Sequence, residues 1–272
     1  MDVSHDGYLA FLASRDGQPT FERRQLSARE TFFEGLAADP IRAHHPIDRA
    51  AYLRNAGRRR PERDLDQRTL WLLATAKANN AERFAVGLAD LFGYVTEESD
   101  PIHMHVQLQE VYHTRLLAQV VHMFDLPVRA QPPPLMARAL VKYLLTVPLA
   151  WRLPVTGMAE MVGCVLFRAL RDRGLALFAD DPPVVARIRS LYDEIIGDEI
   201  SHVGYIAAQM TPHRRQLTRK LYGLFSVRLA LQLPEVGLLF DRAELRRIFA
   251  ASFSLDEMAT HFPRLAYVAA PI

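Results

Sequence analysis

The amino-acid sequence predicts an all-α protein: a four-helix bundle with a long crossover and additional N- and C-terminal helices. Three observations lead there. Long periodic segments fill about residues 67–211, punctuated by Gly93, Asp100-Pro101, Pro132-Pro133-Pro134, Pro154, Gly174 and Pro182-Pro183. Few stretches alternate apolar and polar residues with period 2, so strands are not supported. The periodic segments reach about 20–30 residues, against an ordinary helix mean of about 11–12.

Each element follows from local chemistry. Residues 1–66 read as a polar, irregular arm, with a helix start at Ser27-Ala28-Arg29-Glu30. There the serine and the glutamate three residues on have capping-box spacing. That helix is expected to end near Asp39-Pro40, and Arg58-Arg59-Arg60-Pro61 reads as a solvated basic turn. The first core helix is expected over about 67–93 and the second over about 101–125, opening at a cap residue followed by proline. Three consecutive prolines then break the chain, and a crossover helix is expected over about 135–147. The third core helix is expected over about 154–174, opening near Pro154, and the fourth over about 182–211 behind the Asp181 cap. Beyond Pro212 a basic amphipathic stretch spans Arg214 to Leu233, best read as a cover helix on the bundle, and a last helix is expected over about 241–253. The chain is thus read as a single domain over 1–272, with a bundle at 67–211 and flanking arms at 1–66 and 212–272.

Composition narrows the function classes. The 272 residues carry a net charge of only +2, which gives no electrostatic case for nucleic acid. The single cysteine, Cys164, excludes an internal disulfide framework and a Cys-rich zinc site. No signal-peptide pattern opens the chain, and no apolar run of about 18 residues suggests a membrane partner. A cytoplasmic location is the expectation.

The chemistry lies in two Glu-x-x-His pairs. Glu110 and His113 fall on the second core helix, and Glu199 and His202 on the fourth. Residues at i and i+3 share a helix face, so each carboxylate and imidazole can serve one metal site. An isolated glutamate in an apolar setting precedes each pair: Glu82 by 28 residues, Glu160 by 39. Burying these carboxylates is costly unless a cation compensates them. Both intervals fit a helix, a turn and half of an antiparallel partner. Random placement of the glutamates and histidines gives roughly 0.5 Glu-x-x-His pairs, so the doubled pattern carries the signal. The six residues Glu82, Glu110, His113, Glu160, Glu199 and His202 are the candidate metal ligands. Carboxylate oxygens with imidazole suit iron or manganese.

Further candidates surround them. Asp198 and Gln109, each preceding a ligand glutamate, could hold the imidazole N–H groups across the bundle. Tyr192 and His103 stand seven residues before Glu199 and Glu110, and could move protons or meet substrate. The small residues Thr156, Gly157, Gly163 and Cys164 near Glu160 could leave room for a substrate pocket. Arg83 and Arg115 either end their helices at the surface or anchor an anionic substrate.

On these residues the chain resembles the ferritin-like di-iron carboxylate superfamily, and within it the p-aminobenzoate N-oxygenase group. Glu160, Asp198, Glu199 and His202 match one half of that group's repeat, and Glu82, Glu110 and His113 the other, with Gln109 in place of an aspartate. The group resembles a seven-ligand site with an additional histidine where this chain has Ile195, so a six-ligand set fits better. The resemblance covers about 67–211. It implies two iron ions cycling between Fe2+ and Fe3+, with manganese or a mixed Mn/Fe pair as alternatives. It also implies O2 and a small organic substrate as reactants, and an electron donor such as a reductase or ferredoxin. The expected activity is a monooxygenase-like oxidation of the N-oxygenation or hydroxylation type. A homodimer is allowed. The same ligands would serve a ferroxidase or a metal-storage protein, and a helical interaction module with incidental pairs is the reading without chemistry.

Overall fold

The computed structural model describes residues 5–20, 25–91, 100–129 and 146–250, together with positions 139, 142 and 143. Among them the protein is all-α, with ten helices and one antiparallel pair of two-residue strands.

Helix α1 (His5–Asp16) closes on Gly17. Gly17 takes a φ of +79°, and its N–H donates to the Ala13 carbonyl at 3.0 Å. A Cβ there would lie 2.0 Å from the Ser27 Oγ, so only glycine fits this end. Strands β1 (Pro19–Thr20) and β2 (Gln25–Leu26) pair next. They lead into α2 (Ser27–Ala38). The expected capping box does not form: Leu26 is the cap residue and no side chain caps it. Glu30 is drawn instead to Tyr112 and Arg115 of the second core helix. Helix α3 (Arg49–Asn55) is capped by Asp48, which accepts from the Ala51 N–H at 2.8 Å. The basic turn after it is solvent-exposed, with Arg58 paired to Glu62 at 2.7 Å.

Four long helices follow. They are α4 (Gln67–Leu91), α5 (Pro101–His122), α6 (Leu149–Leu177) and α7 (Pro182–Ala208). Asp100 and Asp181 cap α5 and α7, accepting from the Ile102 and Val184 N–H groups at 2.8 and 3.2 Å, each ahead of a proline in the first turn. One start differs from expectation. Helix α6 begins at Leu149, and Pro154 lies inside it. Proline costs least in the first turn, but here the helix accepts one missing N–H a turn further on. Gly93, the proline run and most of the expected crossover helix over about 135–147 lie outside the described residues, as do 251–253 of the expected last helix.

The long helices close a ring: α4 packs on α5, α5 on α7, α7 on α6, and α6 on α4. The arms are part of the same packing. Helix α1 lies against α5 and α3 against α4. Helix α8 (Pro212–Ala230) lies along α6, burying a stripe of Thr218, Tyr222, Ser226 and Ala230. Helix α9 (Pro234–Leu239) packs on α4, and α10 (Arg242–Ala250) on α8. One described helix segment, Ala150–Leu177, is long and apolar enough to cross a membrane by length and composition; 56% of its most apolar window is buried inside the protein.

Trp71 anchors one end of the ring. It is fully buried, donates from Nε1 to the Leu170 carbonyl at 2.7 Å, and meets Phe178 edge-on at 5.4 Å. Gly174 makes this approach possible, since a Cβ there would stand 2.4 Å from the indole Cζ2. Gly174→Ala is therefore expected to destabilise the fold by about 1–3 kcal/mol through overpacking, read as a lower midpoint in thermal or urea unfolding.

Candidate metal centre

Each of the four long helices delivers carboxylate chemistry to one level of the ring. Glu82 comes from α4, Glu110 and His113 from α5, Glu160 from α6, and Glu199 and His202 from α7. Ligand atoms of Glu82, Glu110, His113 and Glu199 lie within 4.8 Å of one another, and so do those of Glu110, Glu160, Glu199 and His202. Glu110 and Glu199 belong to both groups. The structure thus brings all six residues into two adjoining clusters with two shared carboxylates.

The imidazoles show which way the cluster faces. His113 donates from Nε2 to Asp198 Oδ2 at 3.0 Å. His202 donates from Nε2 to Gln109 Oε1 at 2.9 Å. The Gln109 amide is oriented by its own donors, which reach Asp16 Oδ2 at 2.7 Å and Asp198 Oδ1 at 3.0 Å. With each Nε2–H donated outward, each Nδ1 faces inward, where it could ligate a metal once its own proton is lost. His113 Nδ1 lies 3.4 Å from Glu110 Oε2 and from Glu199 Oε1. His202 Nδ1 lies 3.3 Å from Glu110 Oε1 and 3.7 Å from Glu160 Oε2. Neither buried Nδ1 makes a hydrogen bond.

Electrostatics follow from this crowding. Burial and the neighbouring carboxylates push Glu82 and Glu199 well above the usual carboxyl range. Burial also works to raise Glu110, but the two imidazoles hold it well below that range. Burial works to lower both histidines, yet the carboxylates facing them lift His113 to about 9 and His202 to about 10. The metal-free cluster therefore holds protons where a cation would otherwise stand, and loading a metal must release them. Orphaned imidazole nitrogens aimed at four converging carboxylates fit a divalent metal, and the oxygen and imidazole donor set suits iron or manganese.

No family model matches the chain, and no curated protein or solved structure matches it. The reading rests on the residues themselves.

A buried charge network stands behind His113; Asp198 and Gln109 hold the imidazoles as the sequence suggested, but the arginines that grip Asp198 were not foreseen. Arg29 of α2 donates to Asp16 Oδ1 at 2.9 Å and to both Asp198 oxygens at 2.8 and 2.9 Å. Arg15 of α1 pairs with Asp198, and both arginines reach Glu194. His105 of α5 bonds Asp16 Oδ2 at 3.0 Å. Burial acts to raise Asp198, but Arg15 and Arg29 hold its carboxyl well below the usual range. The N-terminal arm, whose role the sequence left open, supplies Arg15, Asp16 and Arg29. A sequence signal existed on one side only: His105, Gln109 and His113 recur every four residues on one face of α5.

Other candidates lie elsewhere. Tyr192 is buried against Trp71 and Phe167, its hydroxyl 2.8 Å from Thr75 Oγ1, so it is tied into the core rather than to the cluster. His103 is exposed on the outer face of the first turn of α5, whose Ile102, Met104 and His105 are buried. Gly157 faces Ile206, Met210 and Thr218 at 3.2–3.5 Å, so it serves helix packing and not a pocket. Cys164 is fully buried, and burial pushes its thiol up. Thr156 is half-buried and bonds the Arg152 carbonyl. Only Gly163 adjoins the cluster; a Cβ there would stand 3.2 Å from Glu199 Oε2, so the missing side chain makes room for that carboxylate. Arg83 is exposed, and Arg115 is taken up by Glu30 and by the Phe33 ring 4.0 Å away. Ile195 is buried apolar surface in α7.

Proposed function

We propose that the chain is a ferritin-like, dinuclear non-haem iron oxidoreductase that uses O2 to oxidise a small organic substrate. One observation carries the reading: two buried imidazole Nδ1 atoms without partners face four converging carboxylates, two of which belong to both groups. Such a set matches the bundle pattern of one glutamate from each of two helices and Glu-x-x-His from the other two. Glu82 and Glu160 would each bind one metal, Glu110 and Glu199 would bridge, and His113 and His202 would each complete one subsite. When bound, a pair of redox metals supplies the electrons for O2 reduction. The protein's part is to hold the donors and to direct the Nε2 protons of the two imidazoles at Asp198 and Gln109. An electron-donor protein and a cytoplasmic setting belong to the same proposal.

The test is elemental analysis of the purified chain, then anaerobic Fe(II) loading and stopped-flow absorbance on mixing with O2. About two Fe or Mn per chain and a transient visible band are expected for an O2-reactive metal pair. A chain that takes up no Fe(II) overturns the reading. Uptake should also release protons, detectable with an indicator dye in weak buffer, because the carboxylates facing both imidazoles, and burial at Glu82 and Glu199, favour the protonated forms when no metal is bound.

A further inference from the structure

We infer that the two metal subsites are unequal and fill in order, the Glu82, Glu110, His113, Glu199 subsite first, with Asp198 as the positioning residue that sets the order. The inference rests on the two-metal reading above. The inward-facing donors cannot make the difference. Each group offers three carboxylates and one imidazole, and two of the carboxylates are common to both.

What differs is the atom behind each imidazole. His113 gives its Nε2 proton to an ionised carboxylate, Asp198, at 3.0 Å. His202 gives its own to the neutral amide oxygen of Gln109 at 2.9 Å. A hydrogen bond to an ionised acceptor is roughly twice as strong as one between neutral groups, and it makes the other imidazole nitrogen a better donor to a cation. Asp198 stays ionised because Arg29 grips both its oxygens and Arg15 pairs with Oδ1. Of the three carboxylates in the surrounding group, Asp16, Asp198 and Glu194, only Asp198 touches an imidazole of the cluster, and that imidazole is His113. Asp16 and Asp198 meet His202 only by way of the Gln109 amide. Changes to partners of this kind cost about 10–100-fold in metal affinity, which is the gap expected between the two steps.

Manganese(II) titration of the full chain, followed by electron paramagnetic resonance, reads the order directly. The six-line signal of a lone Mn(II) is expected to grow until one equivalent is bound, then to fall as the second ion enters the adjoining subsite and couples to the first. Asp198→Asn should weaken the first step about 10–100-fold and leave the second within a few-fold, merging the two. Because that change also unpairs two buried arginines, Gln109→Leu supplies a second arm: it removes the acceptor behind His202 and one donor to Asp198, and should weaken the second step more than the first. Two equal steps in the unaltered chain, or variants that weaken both steps alike, would overturn the ordered filling while leaving the two-metal reading intact. No manganese uptake would overturn both.

Discussion

Replacing Glu199 by glutamine is expected to remove both metals at once. Its carboxylate belongs to both four-residue groups, so each subsite loses a bridging anion. Glu82 belongs to one group only, and Glu82→Gln is expected to empty that subsite while the other still loads. Metal content per chain separates the two outcomes. Stability gives a second reading. A ligand bound only by the folded chain adds about 2.7 kcal/mol per site at a free concentration 100 times its Kd. The unaltered protein should gain that amount for each metal. Glu199→Gln should show no metal-dependent rise in unfolding temperature, although its metal-free fold is held as well as before. Burial and the neighbouring carboxylates already push Glu199 towards its neutral form without metal, so a neutral amide of the same shape replaces it at little cost. A Glu199→Gln chain that still bound two metals would refute the assignment of the bridging role.

Arg29→Met is expected to be the most destabilising single change outside the cluster, by about 3–5 kcal/mol. Removing one partner of a buried ionic group leaves the others uncompensated, and here Asp16 and Asp198 would face each other with Arg15 as the remaining clamp. The acid limb should move as well. In the folded protein Asp198 is held well below its ordinary range by Arg15 and Arg29 against the opposing effect of burial. A depressed carboxyl contributes stability that is complete above the unfolded value of about pH 4 and is lost as the pH falls towards the folded one. With Arg29 gone the depression shrinks, and acid unfolding should begin at higher pH. Circular dichroism against pH and against urea measures both effects. An unchanged urea midpoint would show that the network contributes nothing. Arg29→Lys should recover only part of the loss, because an ammonium cannot span Asp16, Asp198 and Glu194 as the planar guanidinium does.

The helical ring was legible because each long segment announces itself. Asp100 and Asp181 stand ahead of their prolines, and both cap as their positions suggested. The cluster was legible for a related reason: glutamates in apolar helix faces demand compensation, and Glu82 and Glu160 carried that demand in plain sequence. Elsewhere local patterns misled where tertiary contacts outbid them. Ser27 to Glu30 has the spacing of a capping box, but Glu30 gains a guanidinium and a phenol from α5 by turning away, while Arg29 points inward. Pro154 looked like a helix opening, yet the turn before it continues the helix back to Leu149. Small residues near Glu160 resembled a pocket, but helix geometry sends Gly157 towards α7 and α8 and only Gly163 towards Glu199. The arginines of the charge network escaped notice because Arg15 and Arg29 meet Asp198 and Glu194 only across long stretches of chain.

That separation has a consequence for the order of events during synthesis. Arg29 and Asp198 are 169 residues apart. At translation rates of about 5–20 residues per second, the arginine emerges roughly 10–30 s before the aspartate it will grip. Closing so long a loop must wait until α7 exists, although α2 can already meet Tyr112 and Arg115 of α5. The wall behind His113 is therefore finished only when the whole ring stands, and a nascent chain offered metal before that moment meets carboxylates that nothing yet holds in place.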